Sequence, residues 1–329
     1  MAFSENYRRQ VALLVQAIPA IAKESCFALK GGTAINLFVR DLPRLSVDID
    51  LTYLTLLPRA RSLGAIDKAM KRIGAHLTST VRGARIQTSS VEGSVNKLVL
   101  RQGDVQIKIE VTPVLRGCAY VPDLRAVTPA VEAEFGFAEM KIVSFADLYA
   151  GKIVAALDRQ HPRDLFDVRE LLAHEGVTDA IREAFIVYLM SHNRPMAEVL
   201  AVRPKDIAQE YETNFQGMTA ELVSLDELVQ ARRDITEVVV DGMPERHRKL
   251  LVGFEAGEPD WSLSHVPKAS KLPAIKFRQL NFDKLTKNRR IANVRQLADV
   301  LGIDPAPQQL TLFAESSAKP ARQGKRKGK

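Results

Sequence analysis

The chain has only two cysteines, Cys26 and Cys118, in 329 residues. Neither lies in a C-x-x-C or Cys/His cluster, which excludes a disulfide framework and leaves two buried or incidental thiols. The six histidines are scattered without H-E-x-x-H or comparable spacing, so zinc chemistry is not indicated. No apolar run approaches the roughly 18 residues that span a bilayer. The start, MAFSENYRRQ, has two arginines but no apolar signal-peptide stretch behind them, and the expectation is a cytoplasmic protein. Aromatic residues make up only 6% of the chain, and Trp261 is the one tryptophan. It reads as a packing anchor for C-terminal helices rather than a base-stacking platform, because large aromatics chiefly contribute buried area.

What is present is an ordinary globular composition, 46% hydrophobic and 26% charged, which excludes disorder as the main state. Domains typically run about 100–200 residues, so a chain of this length accommodates two. The net charge is +8, but residues 315–329 carry six basic residues and one acidic one. Without them 41 basic residues face 38 acidic ones, and the body has only +3. The segment reads as a disordered basic arm that meets phosphates without sequence choice, or simply as a solubilising terminus.

Helical spacing predicts a helix from Ser4 to Lys23, then a short apolar run, Cys26–Leu29, ending at Gly31–Gly32. A helix is expected from Thr33 to Pro43, a strand over Leu45–Leu54 and a helix from Pro58 to about His76. The period then changes to two, predicting strands at Val81–Ser89, Ser94–Arg101 and Val105–Pro113. Leu115–Glu139 reads as irregular; Ser144 with Asp147 resembles a capping box opening a helix to Asp158, and Pro162 opens the next. Beyond Thr178 the pattern is helical: Asp179–Ser191, Pro195–Val202, Leu222–Val238, Pro244–Glu255 and Val294–Leu301. The class is therefore α+β, a small mixed sheet (1–140), then a helical domain (141–313), then the basic tail (314–329).

The informative stretch is GGTAINLFVRDLPRLSVDIDL, residues 31–51. Asp48 and Asp50 lie two apart on a strand and share one face, while Val47, Ile49 and Leu51 share the other. Two carboxylates on one face suit Mg²⁺, which keeps substrate phosphates among its ligands; a D-x-D alone is equally a solvated strand face. Gly31 and Gly32 precede a helix, where backbone N–H groups receive anions, and Thr33 adds a hydroxyl. On the strand Val105–Val111, Gln106, Lys108 and Glu110 share the face opposite the apolar residues. If it pairs with the Asp48–Asp50 strand, Glu110 joins as a third carboxylate, and three carboxylates hold two metal ions; otherwise these residues are an edge strand's solvated face.

Gly31–Gly32 followed by R-x-S-x-D-x-D (Arg44, Ser46, Asp48, Asp50) resembles the signature of the DNA polymerase β-like nucleotidyltransferase superfamily. The version here most resembles the AbiEii/AbiGii toxin family. Lys152–Val168 (KIVAALDRQHPRDLFDV), Gly257–Trp261 (GEPDW) and Leu272–Asn281 (LPAIKFRQLN) are similar to further family blocks, so the likeness covers about residues 20–300. It implies a Mg²⁺-dependent enzyme (Mn²⁺ as a substitute) with an NTP as substrate, metal on Asp48, Asp50 and Glu110, and catalytic roles for Lys152 and Asp164. Gly31, Gly32, Thr33, Ser46, Lys108, Arg159, Arg163 and Asp167 are the expected nucleotide-binding residues. Lys152, Arg159 and Arg163 suit a triphosphate clamp, while Asp164 and Asp167 share a helical face and orient a cation or ribose. An Arg163–Asp167 salt bridge is the plainer alternative, and His161 reads as a turn residue before Pro162. The resemblance further implies a tRNA 3′ end as acceptor and an AbiEi-like antitoxin encoded nearby. Transfer to a protein or small molecule, or a non-enzymatic NTP- or RNA-binding module, are the rival readings.

Overall fold

The computed structural model describes residues 3–305, so the tail expected at 314–329 lies outside the described residues. The first part comprises α1 (Glu5–Ala22), β1 (Phe27–Lys30), α2 (Gly31–Ala34, continued by a π-helical turn over Ile35–Val39), β2 (Asp48–Tyr53), α3 (Arg59–Thr80), β3 (Ala84–Val91), β4 (Ser94–Gln102) and β5 (Val105–Val111). It continues with β6 (Asp123–Ala126), α4 (Pro129–Phe135) and β7 (Glu139–Ile142). The seven strands form one mixed sheet in the order β3-β4-β5-β2-β1-β7-β6. The β2/β5 and β1/β7 pairs are parallel and the others antiparallel.

Helices follow: α5 (Phe145–Asp158), α6 (Pro162–Ala173), α7 (Asp179–Met190), α8 (Met196–Leu200), α9 (Ala208–Asn214), α10 (Leu225–Thr236), α11 (Glu245–Ala256), α12 (Pro273–Phe282) and α13 (Lys287–Leu301). The protein is a mixed-sheet domain followed by a largely helical region. No helix among the described residues is long and apolar enough to cross a membrane.

The alternation expected of β2 and β5 is realised in their burial. Ile49 and Leu51, with Ile107, Ile109 and Val111, are at most 1% exposed on the core face, where α1 packs on β5 and α3 on the neighbouring β3 and β4. Helix starts follow their caps: Ser144 Oγ accepts the Asp147 N–H, while the Asp147 carboxylate accepts the amides of Ala119 and Tyr120 and so pins α5 to the loop after β5. A full capping box of Ser224 and Glu227 starts α10 three residues later than the apolar pattern suggests.

Two expectations are corrected. Leu115–Glu139 is not irregular: it contains β6 and α4, and Glu139 opens β7. These elements are only four to seven residues long, too short for a periodic signal, and α4 is set by Pro129 in its first turn and Gly136 at its end. The helix expected from Thr33 starts as a hydrogen-bonded turn at Gly31 instead, with Gly31 itself in left-handed backbone at its mouth and Gly32 inside it. Trp261 packs edge-on against Phe254 at 6.2 Å between ring centroids, as an anchor of the helical region.

Candidate active site

Parallel pairing of β2 with β5 sets Asp48 opposite Lys108 and Asp50 opposite Glu110. The four side chains emerge on the face away from α1 and α3, at the floor of a cleft of about 260 Å³. Gly32, Ser46, Lys152 and Asp164 line it as well, and Arg159 and Arg163 complete its cationic rim. Gly31 opens instead onto an adjoining cavity of about 310 Å³ that shares Asp50, Lys152 and Arg159 and is otherwise built from α5 and α7, including Tyr188 and His192. Thr33 and Asp167 line neither.

Those two are buried fasteners. The Thr33 hydroxyl donates to the Asp48 carbonyl and shares a hydrogen bond with Ser46 Oγ at 3.0 Å, which locks the start of β2 to α2. Asp167 accepts two hydrogen bonds from Arg44, Nε at 2.7 Å and Nη2 at 2.6 Å, and a third from Asn36 Nδ2 at 3.1 Å. Lys152 Nζ lies between the two helix carboxylates, 2.8 Å from Asp164 and 2.9 Å from Asp167, and Arg159 closes over Asp164 from the cleft side. Asp167 is thus engaged by Arg44 and Lys152, not by Arg163. Burial opposes ionisation of both aspartates, yet Lys152 with Arg159 at Asp164, and Arg44 with Lys152 at Asp167, hold both carboxyls below the usual carboxylate range.

Arg44 and Gln160 are the contributors that sequence reasoning did not assign a site role. Gln160, in a left-handed conformation (φ 56°) between α5 and α6, accepts from the Lys205 amide and the Arg232 guanidinium and donates to the Arg203 carbonyl. It fixes the turn that carries Arg159 and His161. Arg44 is part of the R-x-S-x-D-x-D motif, which carries no role for it on its own, and nothing local marks Gln160.

His161 proves to be the N-cap of α6, its Nδ1 accepting the Arg163 N–H at 3.1 Å. Burial, then the Arg163 charge, push its imidazole down to about 4 from 6.5. Because the folded value lies below the unfolded one, the associated stability is complete above 6.5 and drains as pH falls toward 4. Burial lowers His192 and His247 in the same sense. The melting temperature is therefore expected to drop across pH 6.5 to 4, and less steeply in His161→Asn, which keeps a capping acceptor without a titrating ring. An unchanged slope in that variant would contradict the assignment.

The acidic floor fits a cation in its chemistry. Asp50 makes no hydrogen bond among the described residues, and its carboxyl is pushed up by burial, against the pull of Lys30 and with the Asp48 charge adding to it. Lys108 stands 3.6 Å from Asp48, and Lys97 4.0 Å from a half-exposed Glu110. Among the described residues no three His, Cys, Asp or Glu side chains converge as a ready-made metal cage; Asp48 and Asp50 share one strand face, and Glu110 lies opposite Asp50 in the register. The anionic partner has its counterpart in Arg163, which makes no ion pair among the described residues and whose guanidinium is pushed down by burial and by Arg44.

Gly31 is required by its surroundings. Its φ is +76°, and a Cβ there would lie 2.8 Å from Asp50 Oδ2. Gly31→Ala is expected to lose about 1–2 kcal/mol of stability through the left-handed backbone alone. Displacing the Asp50 carboxylate should lower turnover beyond that, which melting curves and initial rates on one preparation will separate.

Among solved structures, the fold is similar to MenT4, a nucleotidyltransferase toxin from Mycobacterium tuberculosis H37Rv. The TM-score is 0.53 and the sequence identity 18%, over 75% of this chain and 91% of that one. No curated protein matches by sequence. Residues 12–268 match the family described as nucleotidyl transferase AbiEii toxin, type IV toxin–antitoxin system, and the chain belongs to that family.

Proposed function

We propose that this member of the family transfers a nucleoside monophosphate from an NTP to an acceptor hydroxyl, that of a tRNA 3′ end, and thereby blocks translation. The observation that carries the reading is the β2/β5 register, which sets Asp48 and Asp50 beside Glu110 and Lys108 at the floor of a cationic cleft. Mg²⁺, or Mn²⁺ in its place, held by Asp48 and Asp50 with Glu110 alongside, supplies Lewis-acid stabilisation of phosphate oxygens.

The chain's own groups do the rest. Gly31 and Gly32 open a turn whose first amides have no intrahelical acceptor; Gly32 with Ser46 receives the β- and γ-phosphates, and Gly31 borders the nucleotide from the adjoining cavity. Lys108, Arg159 and Arg163 balance the triphosphate charge, and Lys152, held by Asp164 and Asp167, fixes the wall against which the α-phosphate lies. The nucleoside occupies the adjoining cavity next to Tyr188 and His192. The acceptor oxygen bonds to the α-phosphorus as the bond to the bridging oxygen breaks. Its proton passes to Glu110, and pyrophosphate leaves toward Arg159 and Arg163. An AbiEi-like antitoxin encoded nearby is the expected regulator.

The test is incubation of the full chain with total tRNA, Mg²⁺ and each α-labelled NTP in turn, beside Asp48→Asn. Label on RNA that disappears in the variant supports the reading and identifies the nucleotide. Label on protein replaces the acceptor, and NTP binding without label on any acceptor overturns the enzymatic reading.

A further inference from the structure

Beyond the two cavities of the candidate active site the cleft continues. Past Glu110 the chain leaves β5 through Thr112, Val114 and Leu115, which with His192 and α12 wall a cavity of about 510 Å³. That cavity shares Val114 and Phe277 with another of about 430 Å³, between the Leu56–Arg59 segment and Lys271–Leu280. Phe277 stands between the two, 45% exposed, and Leu280 and Leu56 are 59% and 42% exposed on the outer side.

Two buried polar side chains on this groove have atoms without a hydrogen-bond partner among the described residues. Arg116, only 7% exposed, has no acceptor for its Nε or Nη1 among the described residues, and its neighbouring charge is another cation, Arg59. A guanidinium withdrawn from water beside a second cation, with no carboxylate at hand, is arranged for an anion from outside. In the inner cavity Glu255, 3% exposed, accepts from Asn293 Nδ2 at Oε1 (3.3 Å) and has no donor for Oε2 among the described residues. It lies near Asn281 and Asn293, a set that reads the polar edge of a base.

The stretch that supplies Lys271, Lys276 and Arg278 to the groove is also the most basic part of the body. Residues 268–295 contain nine Lys or Arg and one acidic residue, whereas residues 1–314 as a whole have only +3. The rest of that body is therefore net negative, and Lys268, Lys271, Lys276, Lys284 and Lys287 are exposed. A single-stranded nucleic acid answers all three features: phosphates for the cations, a flat ring for Phe277 and base-edge donors for Glu255. The basic segment at 315–329 has the wrong charge to occupy the groove.

We propose that this groove is the track of the acceptor RNA's single-stranded 3′ end, with a phosphate on Arg116, a base stacked on Phe277 and the terminal hydroxyl delivered along Thr112–Leu115 to Glu110. The inference rests on the RNA-acceptor reading above, and its test separates the two.

Binding of a short 5′-fluorescein single-stranded RNA to the full chain is measured by anisotropy across a salt series. The KM values for NTP and for tRNA are measured in parallel, for wild type, Phe277→Ala, Lys276→Glu and Arg116→Met. Loss of the stacking ring is expected to weaken RNA binding roughly tenfold, and Lys276→Glu and Arg116→Met should also flatten the salt dependence. The KM for tRNA should rise while that for NTP stays. Arg116→Met should not lower the melting temperature, because the cation it removes has no partner; a purely structural arginine would give the opposite result. RNA affinity unchanged in Phe277→Ala and Arg116→Met overturns the groove even if tRNA is labelled. Affinity lost in those variants without any nucleotide transfer supports the groove and sinks the enzymatic reading. Label on protein with no RNA binding overturns the groove.

Discussion

Replacing Asp50 by asparagine is expected to reduce nucleotidyl transfer by at least about a thousandfold, the scale of several kcal/mol of lost transition-state charge stabilisation, while the fold melts no lower than before. The two halves of this expectation have one origin. The Asp50 carboxylate is half-buried on the cleft floor, makes no hydrogen bond among the described residues and lies beside Asp48 and Glu110, with Lys30 as its main compensation. Its carboxyl is pushed above the usual value, so the folded protein holds the proton more tightly than the unfolded chain. Stability tied to this group is present at low pH and lost as pH rises through the folded value. At neutral pH the charge is a burden on the fold, and an uncharged isostere removes it. Mg²⁺ should raise the melting temperature of the wild type, as any ligand of the native state does, and leave Asp50→Asn unmoved. A variant that melts several degrees lower, or that still responds to Mg²⁺, would contradict the assignment of this carboxylate to cation binding.

The contrast between Asp50 and Asp167 shows what a sequence reveals and what it withholds. Asp48 and Asp50 were legible because strand geometry is local: a period of two puts them on one face, and the apolar residues between them identify the other. Glu110 was legible as a condition, since its own alternation is local but its pairing with β2 across 60 residues of chain is not; the parallel register Asp50↔Glu110 met that condition. Ser144 and Pro162 marked helix starts for the same local reason. Asp164 and Asp167 are three residues apart on one helix face; the resemblance gives them different roles, but nothing in the spacing distinguishes an aspartate at a cleft from one behind it. What separates them is Arg44, 123 residues earlier in the chain, whose approach is decided by how α6 packs on α2. The groove of α12 was hidden likewise: its basic residues are visible as composition, but Arg116 enters from a loop that carries no periodic signal.

Asp167 therefore gives the largest expected loss of stability. Arg44 and Asp167 are a bidentate pair with side chains 2% and 0% exposed, and Lys152 and Asn36 also donate to the same carboxylate. Removing it in Asp167→Ala leaves a guanidinium enclosed in the core and halves the compensation of Lys152. Breaking one side of such a pair typically costs about 3–5 kcal/mol, against total stabilities of about 5–15 kcal/mol, so the variant should melt far below the wild type. Arg44→Leu should be comparably damaging, because it leaves the carboxylate with Lys152 and Asn36 alone. The double variant Arg44→Leu/Asp167→Leu isolates the pair: with both charges gone the desolvation penalty goes too, and much of the stability should return. Activity should not return with it. Arg44 lies 2.6 Å from where a Gly32 side chain would begin, and through Asn36 the carboxylate also holds the carbonyl of Gly32 at the cleft. A melt restored without turnover identifies Arg44 and Asp167 as positioning residues that set the turn and the D-x-D strand against α6, whereas a double variant as inactive and as unstable as Asp167→Ala would mean that the pair's contribution is packing alone.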